Sequence, residues 1–496
     1  MLLASQSLIS HDERRKPTMG RRNELQWMSM VASLIFAALV GISLIWASRS
    51  YGIPAFSRKY QTSCATCHTD FPELNDFGLA FKKNGFKFPK DDDFFVKEPP
   101  VMLGAKAQKD AFPKAIYPGE IPGSIPISFR YSGFASYNSK QPFAVGYLPR
   151  TDLFTPNTFT ILSAGSMGQN ISWWIDDDLS TGGSGAAGGL GDGYMKFNDL
   201  GHYIGLPKDT LNLRFGQFEL DLPFTQARSI NPSDYDIYDE AANAATGMGT
   251  TSNPLMFSAP QRGIEIGGYP NDGNLSWSVA VIDGNNDNPA ARNSKDVYVN
   301  VWKQFNLERD PQSRNAVQAA GSTGPRDHTS LRFGAFYYVG RNALNIGGTL
   351  YPDLPTIRDP FYRVGGDFRF KYRKFELYGL GMYGHDANQL VTGETSNVLT
   401  AGPPVNFSGG FAQSEYWFYP WLIGIMRYDI VNSPMDYQSG VSESFTRNRF
   451  SPGVQLLLRA NIKALFEYQR RWEAPVPGTS QYFRANGFVT GIDFVF

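Results

Sequence analysis

The feature that most limits how this chain can fold is a two-residue alternation of apolar and polar side chains, recurring from residue 124 to the C-terminus. Ile125, Ile127, Phe129 and Tyr131 alternate with Pro126, Ser128, Arg130 and Ser132. Tyr362, Val364, Phe368, Phe370 and Tyr372 alternate with Arg363, Asp367, Arg369 and Lys371, and Ile462, Ala464, Phe466 and Tyr468 with Lys463, Leu465, Glu467 and Gln469. Period two puts successive side chains on opposite faces of a strand, so these segments predict strands with one apolar and one charged face.

About sixteen such segments are legible. They run near 124–138, 157–166, 169–178, 192–199, 210–218, 261–270, 275–286, 295–305, 329–342, 360–372, 374–386, 409–421, 422–432, 446–460, 462–474 and 480–496. Joins after odd strands are mostly long (139–156, 179–191, 219–260, 343–359, 387–408), and joins after even strands are mostly tight; 306–328 breaks this pattern. An even count, alternating short and long joins and an apolar outer face predict a mainly β fold, a transmembrane antiparallel β-barrel of the bacterial outer membrane. The chain ends in Gly-Ile-Asp-Phe-Val-Phe, with Ile492, Phe494 and Phe496 on one face, which fits the terminal aromatic of such barrels. The soluble alternative is a β-sandwich or propeller. It would carry its charged faces outside, and no repeat of 40–50 residues is visible for it.

One apolar run, Trp27–Ala47, is long enough to span a bilayer as a helix, and Arg14, Arg15, Lys16, Arg21 and Arg22 precede it. It reads as a signal sequence over 1–50, cleaved if the barrel is released to the outer membrane; an uncleaved inner-membrane anchor is the rival. Zero net charge argues against nucleic acid as a partner.

The chain has two cysteines, both in Cys64-Ala65-Thr66-Cys67-His68. Cys-x-x-Cys-His is the attachment pattern of covalent haem c: the thiols reach two vinyl groups of one porphyrin and the histidine lies under the iron. A thioredoxin-like pair would need a βαβ context, a zinc site two further ligands, and a bare disulfide here would close almost no loop. One covalent haem c on Cys64 and Cys67, with His68 as proximal iron ligand, is the expectation; no catalytic residue is assigned. Downstream, Phe71, Leu74, Phe77, Gly78 and Phe81 form one helical face, with Asp70 near the N-cap and Asn84-Gly85 as the stop. This small α-helical module, 51–100, joins the barrel (124–496) through a Pro/Gly-rich linker, 101–123. The distal ligand stays open: Met102 is a candidate, with a five-coordinate iron or a ligand from the barrel as alternatives.

From Pro54 to Phe86 the chain resembles the haem module of the fused monohaem cytochrome c–porins of iron-oxidising and other electron-exchanging bacteria. Phe56, Arg58, the Cys-x-x-Cys-His at 64–68, Phe71-Pro72, Leu74-Asn75, Phe77-Gly78, Phe81 and Gly85 carry the resemblance. It implies electron transfer across the outer membrane and, for some members, oxidation of extracellular ferrous iron, which would make the chain an oxidoreductase. The expected partners are therefore an extracellular metal ion or other redox donor or acceptor, a soluble periplasmic cytochrome and the outer-membrane lipid.

An apolar band is about 25 Å tall. A conduit therefore requires the module to sit within the lumen as a plug, or the external donor to enter the pore. Arg363, Asp367, Arg369, Lys371 and Glu467 would line that lumen, either around the plug or as ordinary wall. The alternative function is a diffusion porin carrying a periplasmic haem electron carrier or sensor; a haem peroxidase lacks a histidine placed for acid–base work. In the loop from Glu219 to Ala259, Asp234, Asp236, Asp239 and Glu240 read either as hard ligands for ferrous iron or as part of a solvated or inward-folded constriction loop.

Overall fold

Alternation along the strands is what closes the sheet. In the computed structural model, β5 (Ile127–Asn138), β6 (Thr151–Met167), β7 (Ile171–Thr181), β8 (Leu190–Phe197), β9 (Asn212–Phe218), β10 (Gln261–Gly268), β11 (Leu275–Ile282) and β12 (Asp296–Asn306) form one half of a barrel. The other half is β13 (Ser330–Asn345), β14 (Thr356–Tyr372), β15 (Phe375–Asp386), β18 (Val405–Tyr419), β19 (Leu422–Ser433), β20 (Phe445–Arg459), β21 (Ile462–Arg471) and β22 (Gly487–Val495). All sixteen pair antiparallel with their neighbours, and β22 pairs β5 to close the ring. Each corresponds to an expected segment, with ends shifted by a few residues. The structure describes residues 55–496 except 89–91, 105, 116–118, 124, 142–148, 169, 182–188, 226–228, 244–258, 271–272, 285–292, 308–328, 346–355, 389, 393–398, 402, 434–444, 473–479 and 483. The expected signal, 1–50, and nearly all of 306–328 lie outside the described residues.

Away from the inward loop's apolar cluster, apolar strand side chains face out and polar ones face in. On β19, Met426, Tyr428 and Ile430 are exposed while Arg427 and Asp429 are buried; on β21, Phe466 and Tyr468 are exposed while Lys463 and Glu467 are buried. A soluble sheet would reverse this, because charged groups removed from water cost several kcal/mol unless paired. The described residues contain no helix long and apolar enough to cross a membrane. Phe496 ends the chain by exchanging both backbone hydrogen bonds with Phe129, at 2.7 and 2.8 Å, across the β22–β5 closure.

Before the barrel come α1 (Ala55–Tyr60), the ribbon of β1 (His68–Asp70) and β2 (Glu73–Leu74), α2 (Asp76–Lys83) and α3 (Asp92–Phe95). The helix expected from Asp70 begins later. Asp70 ends β1 and pairs with Glu73, and Asn75 is the N-cap, its Oδ1 accepting from the Gly78 N–H at 2.8 Å. The stop at Asn84-Gly85 is as expected, with Gly85 at φ +70°. The stretch expected as a plain linker holds β3 (Val101–Met102), paired with β4 (Glu120–Ile121), and α4 (Lys106–Ala111) between them. These elements and the barrel belong to one compact unit, Ile53–Phe496.

Inside the barrel, the long join after β9 turns inward and forms α5 (Asp236–Asn243) against β18 and β19. Phe411 of β18 stacks on Tyr235 at 3.9 Å, and Tyr235, Ile237, Tyr238 and Ala241 are fully buried in the largest apolar cluster. β16 (Leu390–Thr392) and β17 (Leu399–Ala401) form a separate hairpin in the join after β15.

Candidate functional site

Ser63 opens the Cys-x-x-Cys-His segment by capping a 3-10 turn over Cys64–Thr66, and the Cys67 N–H closes the turn on the Cys64 carbonyl at 3.1 Å. Asn75 ties this turn to α2 from both sides. Its Nδ2 donates to the Thr66 carbonyl at 3.1 Å, and its backbone N–H donates to the Cys67 carbonyl at 3.0 Å. Cys64 and Cys67 are free and half-buried.

The His68 ring lies with Nδ1 3.2 Å from the Pro72 carbonyl oxygen. A carbonyl only accepts, so Nδ1 carries the proton and Nε2 the lone pair. Burial, reinforced by the nearby Lys463 and Arg130 charges, pushes the imidazole down to about 4 and keeps the ring neutral. Two free thiols three residues apart, followed by a neutral imidazole with one nitrogen tied back, are the donors that a covalent haem needs. The residues present fit that group.

An aromatic cluster backs the turn. Tyr60 stacks on Phe88 at 4.2 Å and Phe56 on Phe86 at 5.2 Å, with Phe81 buried between them and Cys67 and Phe77 packed at its edge. Asp92 clamps the far side, accepting from the Tyr60 hydroxyl and the Phe88 N–H, both at 2.7 Å. Met102 is not among these residues: it lies half-exposed on the β3–β4 ribbon, outside the cluster that holds Cys67.

The module is seated in the mouth of the barrel at its short-turn end, through a row of acids whose pairing with the wall the sequence did not reveal. Asp70, Glu73 and Asp76 each meet a cation of the inner wall. Asp70 is 3.7 Å from Lys463 Nζ, Glu73 is bonded by Arg369, and Asp76 accepts from Lys371 Nζ at 2.5 Å. Arg369 also binds Glu376 of β15, which fixes its guanidinium. At the far end of α2, Lys83 Nζ reaches Asp221 of the inward loop at 2.6 Å. The Asp221 carbonyl in turn accepts from Asn300, which lies about 20 Å along β12 from its short-turn end. Apolar contacts cross the seam too: Phe86 lies against Trp174 of β7 at 5.7 Å, and Ala164 of β6 joins the aromatic cluster.

The other expected lumen residues hold the inward loop. Arg363 binds Asp386 at 2.9 Å and the Ala241 carbonyl at 3.0 Å, Asp367 faces Arg332, and Glu467 accepts from Ser233. Of the loop acids, Asp236 is paired with Arg449 and Arg471 at 3.2 and 3.1 Å, and Glu240 with Arg447. Arg427 and Arg449 donate to the Asp234 backbone carbonyl. Among the described residues, no group of three or more histidine, cysteine, aspartate or glutamate side chains is placed to hold a metal ion. Asp236 and Glu240 thus anchor the inward-folded loop to the barrel wall.

No protein-family model matches this chain, and no curated protein does. Among solved structures it is similar to OmpF of Salmonella typhi in complex with daunomycin, with TM-score 0.45 and 10% identity over 75% of this chain and 97% of that one. It is similar also to a loop-deletion mutant of the outer membrane protein OmpT of Vibrio cholerae, with TM-score 0.44 and 9% identity over 75% of this chain and 98% of that one. A third is OprB of Pseudomonas putida, with TM-score 0.42 and 9% identity over 75% and 94%. The barrel assignment rests on the strand pairing of this chain itself.

Proposed function

We propose that the chain is an outer-membrane electron-exchange protein of the cytochrome c–porin kind, in which one covalent haem c is held on a plug in the barrel. The observation that carries this reading is the seat of the Cys64–His68 segment: its module is anchored within the lumen by Asp70, Glu73 and Asp76 against Lys463, Arg369 and Lys371. A carrier tethered outside a diffusion porin would have no need of such a seam. The outward apolar face and the alternation of short and long joins support the outer membrane as its location, with the short-turn end periplasmic.

In this reading Cys64 and Cys67 form the thioethers, and His68 offers Nε2 while its Nδ1 proton stays on the Pro72 carbonyl. The bound haem supplies a one-electron couple. The chain's own residues orient the module, surround it with aromatic side chains and narrow the water-filled path through the lumen from both ends. The external partner is a redox donor or acceptor such as ferrous iron, and the periplasmic partner a soluble cytochrome.

The test uses purified protein in liposomes that enclose a redox dye. External ferrous iron should reduce the dye at least about tenfold faster with wild type than with Cys64→Ala, while leakage of a neutral sugar stays equal in both. Equal reduction rates would sink the proposal.

A further inference from the structure

We propose that the seam between the plug and the inward loop contains a binding site for a small oxyanion. A cavity of about 150 Å³ lies there, bounded by Lys83 of the module, Asp221 and Phe224 of the loop, and Lys196, Arg214 and Arg332 of the wall. An apolar cavity of that size admits a molecule as large as benzene. This one is lined instead by six basic side chains and four carboxylates. The carboxylates are Glu73, bonded by Arg369, Asp221 by Lys83, Glu265 by Arg214, and Glu219.

Arg332, Arg214 and Lys196 have donors to spare. The Arg332 side chain is only 7% exposed, yet its one acceptor is Asp367 Oδ1 at 3.4 Å, long for a charge-assisted bond, and its Nε has none. Its guanidinium is held between the rings of Phe224 and Trp302, 5.4 and 5.2 Å from their centroids, so the fork has a fixed plane. Arg214 Nε also lacks an acceptor. Lys196 Nζ spends one of its three donors, on the Lys83 carbonyl at 2.5 Å. A planar fork with open N–H groups, lining the same cavity as the Lys196 amine, suits a planar or tetrahedral oxyanion, which satisfies several donors at once. Such an anion would touch plug, loop and wall together and tie the three.

The site stands apart from the haem assignment, and its test does not use electron transfer. Inorganic phosphate is titrated into the detergent-solubilised full chain by calorimetry, with barrel assembly of each variant checked by heat-modifiable electrophoretic mobility. Wild type is expected to bind phosphate at one saturable site. Arg332→Gln should weaken binding at least about tenfold, Lys196→Gln should weaken it too, and Arg373→Gln, at an exposed turn, should leave it unchanged. If Arg332→Gln fails to assemble, Lys196→Gln carries the test. Absence of saturable binding, or equal affinity in the cavity variants and Arg373→Gln, overturns the proposal and leaves a water-filled cavity. Binding seen only in the Cys64→Ser/Cys67→Ser double variant also overturns it, because the cofactor's own carboxylates would then fill the site.

Discussion

Gly78 lies directly against the carbonyl of Cys67: a Cβ at position 78 would come 1.9 Å from that oxygen. The closeness lets α2 pack on the cysteine turn while Asn75 bonds it from the side. Gly78→Ala must push the turn away from the helix, an overpacking cost of about 1–3 kcal/mol confined to the module. With haem attached as proposed, covalent haem per assembled barrel, measured from the reduced absorbance band against protein content, is expected to fall several-fold. Wild-type haem content in Gly78→Ala would show that the turn tolerates the displacement.

Lys371 is nearly buried and Asp76 about one-third exposed, so their pair ranks between surface and buried ion pairs, at about 1–3 kcal/mol. Lys371→Asp should loosen the module, and adding Asp76→Lys should restore it. Hydrogen exchange of the α2 amides reads both. If the double variant exchanges as fast as the single one, the acid row is not what seats the plug.

Glu240 and Arg447 are both buried where the inward loop meets β20. Removing the carboxylate breaks this buried ion pair, costing about 3–5 kcal/mol. Glu240→Ala should free α5 from the wall and raise single-channel conductance in a planar bilayer several-fold. An unchanged conductance would mean that α5 does not narrow the pore.

Asp239, on the loop helix, is pushed up to about 7 by burial and by its neighbours Asp234 and Asp236. Its folded pKa lies above the unfolded value, so its contribution to loop stability is fully present below about 4 and lost as pH rises through about 7. Protection of the α5 amides, corrected for intrinsic exchange, should therefore decline across that window in wild type. Asp239→Asn should flatten the decline; an identical slope in the variant would assign it to another group.

The strands were legible because period two leaves its mark in every segment: exposure of Phe466 and burial of Lys463 follow from their spacing alone. The start of α2 was not. Asp70 and Asn75 are both good caps, and the choice between them depends on Asn75 reaching Thr66 while Asp70 pairs across a ribbon. The direction of the loop after β9 was equally hidden. Its acids have the composition of a metal site, and only the arginines of β20 and β21, brought alongside by barrel closure, reveal Asp236 and Glu240 as anchors.

By itself the sequence determined the barrel and put Cys64, Cys67 and His68 within five residues, because both are written in local spacing: alternation for a strand, three residues between the thiols. The tertiary structure decided where those three residues sit. Asp70, Glu73 and Asp76 find Lys463, Arg369 and Lys371 only after sixteen strands close into a ring. Pairings between residues almost 300 or more positions apart leave no periodic trace in a chain, and Coulomb attraction between buried charges acts only once folding has brought them together.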